Sequence, residues 1–258
     1  TNWSASIDTY GVYPTNVGAR ADGRIVAGGV SYTASPTDPE RLMQVGVLLR
    51  YLYDGTLDSS FGVNGVVELP QYGMDLPPDV IPGDFSVGDT VFLDGDKVVV
   101  ALQDKIVRLS ENGSVDASFG TGGVVDISSV GTVDWIGSQR AVSQMPDGSL
   151  IVYSYGRNIP ITLSRFSRDG VFDASFGVGG SVTISWRVDY LLRVSAAADG
   201  RIVFPCFYNN AGTWEASVVR LKPNGSFDAT FGDNGIASIE ARSNAIAKPL
   251  PDVRTLIM

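Results

Sequence analysis

The 258-residue chain contains no histidine. That excludes Ser-His-Asp and Cys-His catalysis and the usual His-containing zinc sites, and leaves carboxylates, Lys, Tyr and oxygen-ligated calcium as the available chemistry. It contains one cysteine, Cys206, so no intrachain disulfide can form. The flanks "IVFPCFY" are apolar and mark Cys206 as a buried structural thiol. Basic residues are short: 19 Lys and Arg against 28 Asp and Glu give a net charge of −9. A surface of that sign repels phosphate backbones and anionic membranes, so neither nucleic acid nor membrane is an expected partner. No apolar run approaches the ~20 residues of a membrane-spanning helix. The longest, such as "KVVVAL", are of strand length. The first residue is Thr1 rather than Met, as in a mature or trimmed product.

What the chain has is glycine, aliphatic residues and a recurrence. Thirty Gly and 13 Pro among 44% hydrophobic residues favour many short strands joined by turns. "LDSSFGVNGVV" at 57–67 returns as "VDASFGTGGVV" at 115–125, "FDASFGVGGSV" at 172–182 and "FDATFGDNGIA" at 227–237. A near-constant period is the mark of a repeat architecture. An Arg stands eight residues before each motif Asp: Arg50 and Asp58, Arg108 and Asp116, Arg165 and Asp173, Arg220 and Asp228. Between them lies an Asp-Gly or Asn-Gly pair, the strongest short hairpin signal. A second hairpin precedes each unit, reading "ADGRIVAGG", "DGDKVVVAL", "PDGSLIVYS" and "ADGRIVFPC", and "PDVRTLIM" at 251–258 begins a fifth copy.

Each unit therefore reads as four strands, A to D. In the third unit these are "SQRAVSQM", "SLIVYSYG", "ITLSRFS" and "SVTISW". Repeated four-stranded meanders are the blades of a β-propeller. The expected architecture is all-β, a single domain over 1–258. Its units are approximately 14–69, 84–128, 137–186 and 190–241, with a partial unit formed by 244–258 and 1–9. "ASID" at 5–8 matches the strand D stretch "ASIE" at 237–240, so the N-terminal strand is expected to close a fifth, incomplete blade. A four-bladed ring with overlapping ends, a truncated chain and an open solenoid are the alternatives. The missing strand C would leave a slot for oligomer formation by strand addition.

The pattern Arg-Leu, then (D/N)G, then D-x-(S/T)-FG-x-x-G, with a later DG-(R/K)-(I/V)-V, resembles the delta-60 repeat of bacterial proteins over residues 14–258. The resemblance implies a propeller-like fold and a secreted or cell-surface setting. It supplies no catalytic residues. The incomplete last unit and a long insertion at 70–90 depart from the pattern.

The motif residues read as scaffold. The Asp side chains can bond backbone N–H groups in the strand C to D connection, and Phe61, Phe119, Phe176 and Phe231 plug gaps between neighbouring blades. Each recurring Arg needs a partner, and the motif Asp is the nearest candidate; exposure on the outer rim is the alternative. Binding residues are sought in the D–A and B–C connections, which differ in every unit. Tyr72, Asp75, Trp135, Tyr155, Arg157, Trp186, Tyr208 and Trp214 lie there, a composition suited to a glycan or protein partner. No cofactor is expected, with calcium a candidate only at Asp75, Asp79, Asp84 and Asp89. Two functions fit: a non-catalytic recognition or assembly module, and a carboxylate-dependent glycoside hydrolase.

Overall fold

The computed structural model describes residues 13–20, 22–76, 90–92, 97–102, 104–131, 138–156, 159–186, 188–191, 193–210, 213–240, 247–249 and 255–257. Among these residues the backbone is arranged in antiparallel sheets with one three-residue 3-10 turn, Pro70–Tyr72. It divides into two compact units, 1–125 and 126–258.

The first unit holds two sheets. One runs β1 (Tyr13–Ala19), β2 (Ile25–Ala34), β3 (Leu42–Tyr51), β4 (Val66–Glu68), in that spatial order. The insertion after residue 70 adds a short strand, β5 (Met74–Asp75), which pairs Met43 with Asp75 on β3. The other sheet runs β6 (Thr90–Phe92), β7 (Val98–Ala101), β8 (Lys105–Leu109), β9 (Val124–Asp126). Val26, Val30, Leu48, Phe61, Val98, Val107 and Leu109 form the core between the sheets.

The second unit repeats the plan. β10 (Ser138–Gln144), β11 (Leu150–Gly156), β12 (Ile159–Phe166) and β13 (Ser181–Ile184) are the four strands read from the sequence of the third repeat. The register places Val142 opposite Val152 and Leu163 opposite Val182. β11 is buried at nearly every position because it is a central strand covered on both faces. In the fourth repeat strand A is split into β14 (Tyr190–Leu191) and β15 (Ser195–Ala196), both paired with β16 (Ile202–Asn210), followed by β17 (Thr213–Leu221) and β18 (Ile236–Glu240). The split has a physical cause. The Val194 carbonyl accepts from Ser143 Oγ at 2.7 Å, and its amide donates to Tyr153 Oη at 3.4 Å, so this residue bonds the third sheet instead of β16. A last hairpin joins β19 (Ala247–Pro249) and β20 (Thr255–Ile257). The expected partner of that hairpin, residues 3–9, lies outside the described residues.

Candidate functional site

The recurring residues assemble the same cluster four times. Arg50 Nε donates to Asp58 Oδ2 at 2.8 Å, Arg108 to Asp116 at 2.8 Å, Arg165 to Asp173 at 2.6 Å and Arg220 to Asp228 at 2.9 Å. The expected partner of each Arg is thus the Asp of its own repeat, and the outer-rim alternative is overturned. The eight-residue spacing produces this because the Asp amide bonds the Arg carbonyl across the hairpin, as in Asp58 to Arg50 at 2.8 Å. The other carboxylate oxygen, Oδ1, accepts from the amide and hydroxyl two residues on, at 3.1 and 2.6 Å from Ser60 in the first repeat. Both oxygens of each motif carboxylate are thus engaged within the scaffold.

Each guanidinium also lies over the motif Phe, 4.5 Å from the Phe61 ring centre, 4.7 Å from Phe119, 5.1 Å from Phe176 and 4.4 Å from Phe231. The sequence contains that pairing in its fixed Arg-to-Phe distance of eleven residues, but linear spacing does not reveal which side chains stack. A second unanticipated contact involves the residue after the A–B turn. Lys97 Nζ reaches Asp116 Oδ2 at 2.6 Å, and Arg201 Nε reaches Asp228 Oδ2 at 3.1 Å. The signal in the sequence is the basic residue directly before the strand B run, Lys97 before "VVVAL" and Arg201 before "IVFPC". In the third repeat Ser149 takes that position, and in the first Arg24 bonds Asp22.

These contacts fix the charge state of the motif. The Ser60 hydroxyl, against the opposing effect of burial, holds Asp58 below the usual carboxylate range. Ser175 does the same for Asp173, and Thr230 for Asp228. At Asp116 burial acts to raise the pKa and is outweighed by Lys97, Ser118 and Arg108. Such carboxylates are anions throughout the neutral range and are poor proton donors.

Consecutive repeats interlock through this cluster. Gly62 N–H donates to the Asn112 carbonyl at 2.8 Å, and Arg50 Nη1 to the Glu111 carbonyl. In the second unit Gly177 N–H donates to the Asn224 carbonyl at 2.8 Å, and Arg165 Nη1 to the Pro223 carbonyl at 2.8 Å. The Asn-Gly turn of one repeat therefore caps the Phe of the repeat before it. Gly113 is required there twice over: its φ is +84°, and a Cβ would stand 3.2 Å from the Phe61 ring and 2.9 Å from Gly62 N.

The candidate binding residues are dispersed. Tyr72 ends the 3-10 turn, half-buried against the first unit's core. Asp75 lies on β5 and accepts from Thr37 Oγ1 at 3.2 Å. Tyr155 stacks on Tyr153, and Trp186 packs 6.1 Å from Phe227; both are half-buried satellites of the second core. Tyr208 and Trp214 lie on the β16–β17 hairpin, one register step apart. Trp135, Arg157, Asp79, Asp84 and Asp89 lie outside the described residues, and among the described residues no three acidic or thiol side chains gather as a metal site. Sequence variation alone thus chose Tyr155 and Trp186 for exposure, whereas the structure uses much of their surface for packing.

A cleft of about 420 Å³ opens instead beside the recurring turns of the third and fourth repeats, lined by Met145, Asp147, Arg165, Asp199, Ile202 and Pro223. Its carboxylates are partnered: Asp147 accepts from Ser149 Oγ at 2.6 Å and Asp199 from Arg201 Nη1 at 2.6 Å. Variation between repeats could not flag this cleft, because its walls are the parts that do not vary.

Over residues 98–119 and 197–231 the chain is similar to a family described as a domain of unknown function (DUF5122) beta-propeller. The repeats are of the β-propeller kind. The matched stretches run from β7 to the Phe119 motif and from the fourth repeat's A–B turn to the Phe231 motif, so they contain the Arg-Asp-Phe cluster. No curated protein matches the chain.

Proposed function

We propose that this chain is a propeller of the bacterial delta-60 repeat type that serves as a non-catalytic recognition or assembly module of a secreted or surface protein. It binds a glycan or a protein partner through the variable D–A and B–C connections, with five blades and the last closed by the N-terminal strand. The observation that carries the reading is the use of ionisable groups. The four motif carboxylates are held ionised by Arg, Lys and hydroxyl partners within the scaffold. None is suited to the protonated acid that a glycoside hydrolase requires.

The test is a glycan array run beside a panel of chromogenic glycosides. Binding without turnover is the expected result. Turnover abolished by a single carboxylate substitution overturns the non-catalytic reading. Closure has its own test: deletion of residues 1–9 should lower the melting temperature well beyond the effect of trimming a loose terminus.

A further inference from the structure

The basic residue before strand B is present in three repeats and missing from one. In the second and fourth repeats its side chain ends on the motif carboxylate, with Lys97 Nζ 2.6 Å from Asp116 Oδ2 and Arg201 Nε 3.1 Å from Asp228 Oδ2. In the first repeat Arg24 holds the position and pairs with Asp22. In the third the residue is Ser149, whose short side chain turns back to Asp147 Oδ1 at 2.6 Å. Among the described residues Asp173, the motif carboxylate of that repeat, is left with Arg165 as its one cation.

The vacated space stays open. The Asp173 side chain is 29% exposed, where those of Asp58, Asp116 and Asp228 are 9%, 10% and 2% exposed. Ser149 and Arg165 mark the two ends of the path that a longer side chain would follow to Asp173, and both line the cleft of about 420 Å³. That volume falls within the range of small-molecule sites, about 300–1,000 Å³. The other walls suit an organic cation. Met145, Ile202 and Pro223 offer apolar surface to a stem. Asp147 offers charge: its carboxylate accepts from the Ser149 amide and hydroxyl, and among the described residues no Lys or Arg pairs with it. All the walls lie between residues 145 and 223, well inside the chain.

We propose that the cleft of the third repeat binds an alkylammonium group on an unbranched stem, of the kind that ends a lysine side chain or a free alkyl diamine. The sister repeats specify this chemistry, because there the protein supplies the cation itself. The guest ammonium takes on Asp173 Oδ2 the place that Lys97 holds on Asp116, with Asp147 as a second carboxylate. Its stem runs along Met145, Ile202 and Pro223. One charge-assisted contact and a short stem make a weak site, with a Kd on the order of a millimolar. The cleft is built from recurring turns and not from the variable connections, so this site is separate from the proposed glycan or protein binding and does not rest on it.

Heteronuclear NMR titration of the full chain provides the test. The probes are Nα-acetyl-lysine methylamide, cadaverine and, as the uncharged control, Nα-acetyl-norleucine methylamide. Saturable shifts of the Ser149 and Gly200 amides are expected with a cation and not with the control. A response to the lysine derivative alone identifies a polypeptide side chain as the source, and a response to cadaverine alone a free amine. Ser149→Lys restores the internal cation of the sister repeats, so it should abolish the shifts and raise the melting temperature. Asp147→Asn should weaken binding by about threefold or more. No saturable shift with either cation into the tens of millimolar overturns the proposal, as do equal shifts with the norleucine derivative. So does binding that Ser149→Lys retains. Should Ser149→Lys fail to fold, binding at full strength to Asp147→Asn overturns it.

Discussion

Phe176 and Phe231 occupy the same motif position in the same compact unit, yet they should differ sharply in what their removal costs. Phe176 is fully buried, stacked under Arg165 and capped by Gly225 of the next repeat. Phe176→Ala removes a core aromatic, leaves a cavity and strips a guanidinium of its ring, for a loss of about 3–5 kcal/mol. For a chain of this length that corresponds to a fall in melting temperature of roughly 6–20 °C. Phe231 keeps its Arg, at 4.4 Å, but is half-buried against Val203 and Val218, and among the described residues no turn of a following repeat bonds the Gly beside it. Partial burial leaves about 1–2 kcal/mol for Phe231→Ala. Urea denaturation followed by circular dichroism measures both on one protein, and an unchanged slope would show that only stability moved. Equal losses at the two positions, or a loss at Phe176 below about 1 kcal/mol, would refute the argument that the capping turn makes the Phe a core residue.

Acidification tests the carboxylates. Asp58, Asp173 and Asp228 titrate below their ordinary 3.8 when folded, so their contribution is complete above that value and declines as the pH falls beneath it. The melting temperature should be flat from about pH 5 to 8 and drop below about pH 4, and Asp58→Asn should shrink the drop while lowering the plateau. Arg50→Lys should cost about 2–4 kcal/mol, because an ammonium cannot serve Asp58, Ser60 and the Glu111 carbonyl together from a buried position; a loss within experimental error would reduce the cluster to surface decoration. Gly113→Ala should be far more disruptive than Gly55→Ala, since both pay for a positive φ but only Gly113 meets Phe61 and Val67. Burial pushes the Cys206 thiol up to about 12, so thiol reagents at pH 8 should react only after unfolding.

The local grammar of this protein is written in its sequence. Asp-Gly and Asn-Gly pairs set the hairpins because glycine takes positive φ without strain, at +83° in Gly55 and +85° in Gly225. Alternating and continuous apolar runs between those turns define strands such as Leu150–Gly156 and Ile159–Phe166 within a residue or two. The eight-residue interval from Arg to Asp spans one hairpin, so the pairing of Arg50 with Asp58 follows from backbone register alone. Contacts that cross from one repeat to the next obey no fixed short spacing and are legible only in three dimensions. That is why the capping of Phe61 by Gly113, the bond from Arg165 to the Pro223 carbonyl and the splitting of the fourth repeat's first strand at Val194 needed the folded chain. The candidate site shows the same division. Composition could pick Tyr155 and Trp186 as aromatic and variable, but whether a ring faces solvent or a neighbouring sheet depends on packing between strands distant in sequence, and both rings lean on the core. The cleft beside Asp147 and Asp199 is built from turns that each look merely structural, and it exists only because tertiary packing sets two of them side by side.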